Sequence, residues 1–185
     1  MKAACLTLLL ALAPLVAAAE TMPSPPVLTV DWAQLKAEGK LTAGEFVAPR
    51  DSITAATLRL ENADDRPRTF TLVTLDKPAL TQSSWVLTGR VRCTAIAGKG
   101  YVEMLHRFAN GTTHFARTMD RQGPQVMLQG TESWRDFAVS FRSLKSGRPT
   151  QIVISVMLPK KGIVELGPLA LYEGDVAVNK ALGIK

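Results

Sequence analysis

Histidine and cysteine are nearly absent: the chain of 185 residues holds two of each. That shortage excludes much chemistry. A Ser-His-Asp apparatus needs an imidazole held between nucleophile and acid, and only His106 and His114 exist, on opposite faces of an expected hairpin. Two histidines with no Asp or Cys at ligand spacing do not make a zinc site. Gly-x-Ser-x-Gly and phosphate-loop patterns are missing as well. A glycosidase needs two carboxylates flanking a cleft; Glu103 with Asp136 or Glu165 is the pairing that comes forward, and nothing in the sequence selects it. The chain therefore reads as non-catalytic.

Long apolar runs are missing too, apart from one short stretch at the start. Lys2 precedes an apolar run from Leu6 to Val16, broken by Pro14, and Ala17-Ala18-Ala19 follows it. That order describes a cleaved export signal over residues 1–19, with a mature chain beginning near Glu20. The run is too short to span a bilayer, so a periplasmic or secreted protein without a transmembrane segment is expected. Cys5 leaves with the signal. Cys93 then stands alone, and an exported domain with one cysteine must be stabilised by packing instead of a disulfide. Cys93 falls in strand register with Leu87 and Val91, which makes it a small buried hydrophobe.

Lysine and arginine total 22 against 16 acidic residues, a formal charge of +6. The basic residues are scattered: Lys160-Lys161 and Arg66-Pro67-Arg68 sit in expected turns. With no basic helix and no aromatic-basic platform motif, nucleic acid is not an expected partner.

What is present is alternation on a two-residue period, punctuated by turn signals about every ten residues. Strands are expected at Thr57–Glu61, Thr69–Leu75, Trp85–Thr94, Gly100–Phe108, His114–Met119, Gln125–Leu128, Trp134–Phe141, Gln151–Leu158 and Gly162–Leu171. The fold class is all-β, an antiparallel jelly-roll β-sandwich of about nine strands with one short N-terminal helix. That helix is expected over Asp31–Glu38, with Asp31 capping its first turn, Gly39 ending it, and Trp32 and Leu35 facing the sandwich. Residues 20–30 form a proline-rich flexible leader, 31–173 the sandwich, and 174–185 a tail.

Asn110-Gly111 suits a two-residue type I′ turn. Its register places Val102, Met104, His106, Phe108, Phe115, Arg117 and Met119 on a core face, and Tyr101, Glu103, Leu105, Arg107, His114, Ala116 and Thr118 on an outer face. Arg117 and His106 sit awkwardly in that core. Either they lie at the rim beside Asp136 or Glu132, or the turn is not two residues long. Arg90 and Arg92 share the outer side of the preceding strand. Trp85 and Trp134 each open an expected strand after a polar turn, where either a rim position or core packing at the sandwich end is natural.

Five phrases carry a family resemblance: Gly100-Tyr101-Val102-Glu103-Met104, Phe115-Ala116-Arg117-Thr118-Met119, Gly123-Pro124, the stretch from Gly130 to Phe137, and Gly162 to Leu169. From Gly98 to Leu171 the chain resembles the jelly-roll modules of the galactose-binding-like superfamily, of the carbohydrate-binding-module type, found in bacterial exported proteins. The resemblance implies a non-catalytic module that binds carbohydrate or serves as a spacer. Such modules often keep a structural calcium. Here only Asn62-Ala63-Asp64-Asp65 comes near a calcium loop, so no cofactor or metal is expected. A carbohydrate site would use Tyr101, Glu103, Arg107 and His114, with Arg90 or Arg92 beside them, or the end loops near the rim aromatics Trp85 and Trp134. The alternative partner is an envelope protein, with the domain acting as a structural or protein-interaction module without a saccharide ligand.

Overall fold

The computed structural model describes residues 25–49, 55–143 and 147–174. The expected export signal over 1–19, the first part of the leader and the tail beyond Gly174 lie outside the described residues.

Nine strands and one helix follow in order: β1 (Leu28–Val30), α1 (Trp32–Ala37), β2 (Glu45–Val47), β3 (Thr57–Asn62), β4 (Arg68–Asp76), β5 (Ser84–Phe108), β6 (Thr113–Arg117), β7 (Leu128–Arg142), β8 (Pro149–Leu158) and β9 (Gly162–Glu173). All named pairings are antiparallel. In the first layer the order is β2-β3-β9-β5-β7, with β1 lying along β9 beyond the end of β3. The second layer runs β4-β8-β5-β6. β5 belongs to both. Its first half pairs with β9 and β7, and its second half with β8 and β6.

That sharing corrects the expected strand list. Trp85–Thr94 and Gly100–Phe108 are one strand of 25 residues. The crossing between layers is made at Ala95 (φ 51°) and Gly98 (φ 88°), where the register with β7 slips twice. Bulges of this kind bend a strand and increase its twist, which is what a strand changing layers requires. Trp134–Phe141 lies within the longer strand β7, whereas of Gln125–Leu128 only Leu128 belongs to it and Val126 forms an isolated bridge with Asp120. Leu28–Val30, expected in a flexible leader, is instead β1, its backbone paired with Leu169–Leu171 of β9.

The helix forms as the sequence predicts. The Asp31 carboxylate accepts from the Ala33 amide at 2.8 Å and the Gln34 amide at 3.3 Å, satisfying two donors that a first turn leaves free. Gly39 takes the left-handed conformation, φ 66°. Trp32 is fully buried.

Alternation along β5 holds: Trp85, Leu87, Val91 and Cys93 point inward from the first layer, Val102 and Met104 from the second, and all belong to one core. Burial raises the Cys93 thiol to about 11, with the Glu132 carboxylate adding to it, so this cysteine is an inert core residue.

The hairpin between β5 and β6 corrects the type I′ expectation. Arg107 pairs with Thr113 and His106 with His114, and the Gly111 amide donates to the Phe108 carbonyl at 3.0 Å. The loop is three residues, Ala109-Asn110-Gly111. Gly111 alone among them has positive φ, 80°, the form in which a type I turn closes through a glycine bulge. Asn110 stays out of the left-handed region, and its side chain instead accepts from the Thr112 amide and hydroxyl. One extra loop residue flips β6 over, because strand faces alternate at each residue. Arg117 and Phe115 move to the outer face, and His114 moves to the inner side, at an exposed end.

His106 remains inside. The Trp85 indole N–H donates to its Nε2 at 3.0 Å, which assigns the proton to Nδ1, 3.3 Å from the His114 carbonyl. Phe141 stacks on the imidazole with centroids 4.0 Å apart. Burial lowers its pKa to about 4. A proton on Nε2 would also face the indole donor. Trp85 is fully buried in this cluster, so it is a core residue and not a rim aromatic.

Candidate functional site

Two bulges shape the outer face of the first layer. β5 and β9 keep one register from Trp85 opposite Glu173 to Gly89 opposite Leu169, then resume with Val91 opposite Leu166. Gly167 and Pro168 thus stand opposite Arg90 alone. On the other side, β5 and β7 pair from Ser84 opposite Arg142 to Val91 opposite Arg135, then resume with Cys93 opposite Glu132. Ser133 and Trp134 stand opposite Arg92 alone. Bulges re-aim side chains and gather next to functional sites. Here they flank two arginines that alternate outward from one strand.

Between them lies a groove of about 540 Å³, lined by Arg90, Arg92, Trp134, Glu165, Gly167 and Pro168, with Val47, Ala48, Pro49, Ala55 and Thr57 along the other wall. α1 secures it from behind: the Trp32 indole donates to the Gly167 carbonyl at 2.8 Å, a buried bond across 135 residues of chain. Without that donor the bulge would bury an unpaired carbonyl. Trp32 therefore links the capped helix to the groove's β9 wall.

The groove's polar groups differ in how firmly they are held. Arg92 donates through Nη2 to both Glu165 oxygens at 2.6 Å, and the Glu165 side chain is 16% exposed. Arg90 meets Asp136 at 3.2 Å, but the two side chains are 62% and 86% exposed. Such a pair is worth about 0–1 kcal/mol in water and exchanges readily. The Arg90 and Arg92 guanidinium carbons lie 5.9 and 5.4 Å from the Trp134 ring centroid, near the outer limit for a cation–π contact. Trp134 is half-buried in the groove, and of the two rim aromatics only it fits that description.

The outer face of the second layer is arranged differently. Tyr101, Glu103, Leu105 and Arg107 do share it, but Arg90 and Arg92 belong to the other layer and His114 to the inner side of the hairpin. The six expected site residues are therefore not brought together. Glu103 is salt-bridged to Arg117, and the Arg117 guanidinium lies over Tyr101 at 4.5 Å and over Phe115 at 3.9 Å. A two-residue turn would place Arg117 in the core. Its true place gives Glu103 and Tyr101 an internal partner.

Asn62, in the stretch nearest to a calcium loop, is buried at 2% exposure. Its amide donates to the carbonyls of Arg66 at 2.8 Å and Lys160 at 3.0 Å, while its oxygen accepts from the Asp64 amide. The side chain ties one loop to the β8–β9 turn. Among the described residues no group of three or more His, Cys, Asp or Glu is placed to hold a metal ion, and no helix is long and apolar enough to cross a membrane.

What sequence reasoning missed is the joining of Trp134, Glu165, Arg90 and Arg92. The outward alternation of Arg90 and Arg92 was readable, and so was Trp134 as a ring to inspect. No local signal indicated the two bulges that bring them into one groove.

No protein-family model and no curated protein matches the chain. Solved structures are similar to it at low identity. The enzymatically active domain of bacteriophage CBA120 tailspike protein 4 aligns with a TM-score of 0.49 and 9% identity, over 67% of this chain and 16% of that one. The CBM22-1 xylan-binding domain of Paenibacillus barcinonensis Xyn10C aligns with a TM-score of 0.46 and 10% identity, over 81% and 95%. TmCBM61, solved with β-1,4-galactotriose, gives 0.42 and 12%, over 70% and 81%. Carbohydrate-binding modules thus recur among similar structures. At these scores no residue role carries across.

Proposed function

We propose that this protein is an exported, non-catalytic carbohydrate-binding module and that its ligand lies in the groove on the first layer. The carrying observation is Trp134, itself part of the β7 bulge, with the Arg90 and Arg92 guanidiniums 5.9 and 5.4 Å from its ring and Glu165 lining the same groove. A saccharide offers a flat C–H face edged by hydroxyls. An indole covers the first, and guanidinium and carboxylate groups bond the second.

The test uses the tryptophans themselves. Trp32 and Trp85 are fully buried while Trp134 is not, so a saccharide entering the groove should change the emission of Trp134 alone. A glycan panel titrated against the mature protein should give a saturable fluorescence change that Trp134→Phe largely removes. A panel without any binder would sink the reading. Export is tested separately, by mass spectrometry of the secreted or periplasmic protein: a chain beginning near Glu20 is expected, and an intact Met1 would count against it.

A specific observation favours a second reading, an envelope interaction module. Phe115 is 57% exposed and Met119 46%, both on or beside edge strand β6. Under that reading a protein partner is lost on changing Phe115, and no saccharide binds.

A further inference from the structure

Among the described residues the charge around the groove does not balance: two guanidiniums line it against one carboxylate, Glu165, and that carboxylate is already committed through both oxygens to Arg92. Arg90 is left with Asp136, a water-exposed partner that does not line the groove. Arg92 also carries an Nε–H that is buried and has no acceptor among the described residues. The chain as a whole has a formal charge of +6, which draws anions toward it at low ionic strength. A neutral sugar would leave Arg90 no better satisfied than water and Asp136 already leave it. A ligand carboxylate would pair with it as a planar fork, in a site partly screened from solvent.

We infer that the groove takes a saccharide carrying a carboxylate, that is a uronate, with its pyranose ring against Trp134 and its carboxylate on Arg90. This rests on the carbohydrate reading of the same groove. On binding, the ligand carboxylate replaces Asp136 at Arg90, while the Arg92–Glu165 pair stays in place and meets the ring hydroxyls. Arg90 confers the preference and Trp134 the stacking, so the two contributions separate by mutation.

The experiment is a calorimetric titration with oligomers of galacturonate, glucuronate and mannuronate, each beside its methyl ester, which keeps the sugar and removes the charge. Wild type, Arg90→Gln and Asp136→Asn are compared at low and high salt. Arg90 and Asp136 are both exposed, and a thermal melt of each variant confirms an intact fold. At least one free uronate should bind severalfold tighter than its methyl ester, with the advantage shrinking as salt rises. Arg90→Gln should bring acid and ester together, whereas Asp136→Asn, by removing a competing carboxylate, should widen the gap. If the esters or neutral oligosaccharides bind as well as the acids, or if Arg90→Gln keeps the preference, the uronate inference is overturned and the carbohydrate reading survives. If no saccharide of either kind binds, both fall together.

Discussion

The two outer faces of this sandwich are made from the same parts. Each carries an aromatic ring, arginine and a carboxylate: Trp134, Arg90, Arg92 and Glu165 on the first layer, Tyr101, Arg117 and Glu103 on the second. They differ in how the backbone sets those parts. In the second layer β5 and β6 pair without interruption from Glu103 opposite Arg117 to Arg107 opposite Thr113. Directly opposed side chains reach each other, so acid and base neutralise and the guanidinium settles on the rings at 3.9 and 4.5 Å. In the first layer each outward arginine faces a bulge. The arginines stand farther from the ring, at 5.4 and 5.9 Å, and the extra residues build walls around them. In the second layer acid, base and rings close on one another; in the first the bulges set the ring apart, leave Arg90 on the exposed Asp136, and open a groove beside it.

The comparison can be strained most strongly from beneath. Of the two layers, only the second buries an imidazole, that of His106. Its folded pKa of about 4 lies below the unfolded value of about 6.5. The unfolded chain therefore binds more protons between those values, and stability falls as pH drops from about 6.5 toward 4. The full effect is on the order of 3 kcal/mol. Urea denaturation at pH 7.5 and pH 4.5 should show it, and His106→Gln should flatten that part of the profile. A wild-type profile without slope in this window would mean that His106 is charged in the fold.

Next in size is the effect on binding. Trp134→Ala should weaken saccharide affinity by about 2 kcal/mol, as loss of a central aromatic does, while Tyr101→Ala leaves it unchanged. The reverse result, in isothermal titration of both variants, would move the site to the second layer.

Gly111→Val tests the three-residue loop. A β-branched residue held at φ 80° costs about 1–2 kcal/mol, so the urea midpoint should fall with saccharide affinity intact. A neutral outcome would require a different turn.

Trp32→Phe is the mildest. It keeps the ring in the core and removes the donor to Gly167, for a stability loss of about 1 kcal/mol. Its distinguishing readout is a several-fold weaker saccharide affinity, since the Gly167-Pro168 wall loses its anchor. Unchanged binding would show that the bulge holds itself.

Much of the strand pattern was legible. Thr57–Glu61, Thr69–Leu75 and Gln151–Leu158 each lie within an observed strand, because a strand half-buried against a core must alternate. The inward set Trp85, Leu87, Val91 and Cys93 and the outward pair Arg90 and Arg92 were readable for the same reason. β1 and β2 were not, since three residues are too few to show a period. The proposed Tyr101 site failed to assemble for two reasons: Arg90 and Arg92 lie on the half of β5 that belongs to the other layer, and Asn110-Gly111 is compatible with a loop of two or of three, a choice that decides the side on which Arg117, Phe115 and His114 emerge.

By itself, then, the sequence determined what is written locally and repeated: a mostly β chain, an Asp31-capped helix ended by Gly39, and a buried Cys93. Only the tertiary structure decided that β5 serves both layers, that Arg90 and Arg92 lie away from Tyr101, and that Gly167-Pro168 and Ser133-Trp134 bulge on either side of them. Alternation is a property of one strand and its distance from the core. A bulge belongs to a pair of strands, arising where two hydrogen-bond ladders fall out of step, and neither strand records it alone.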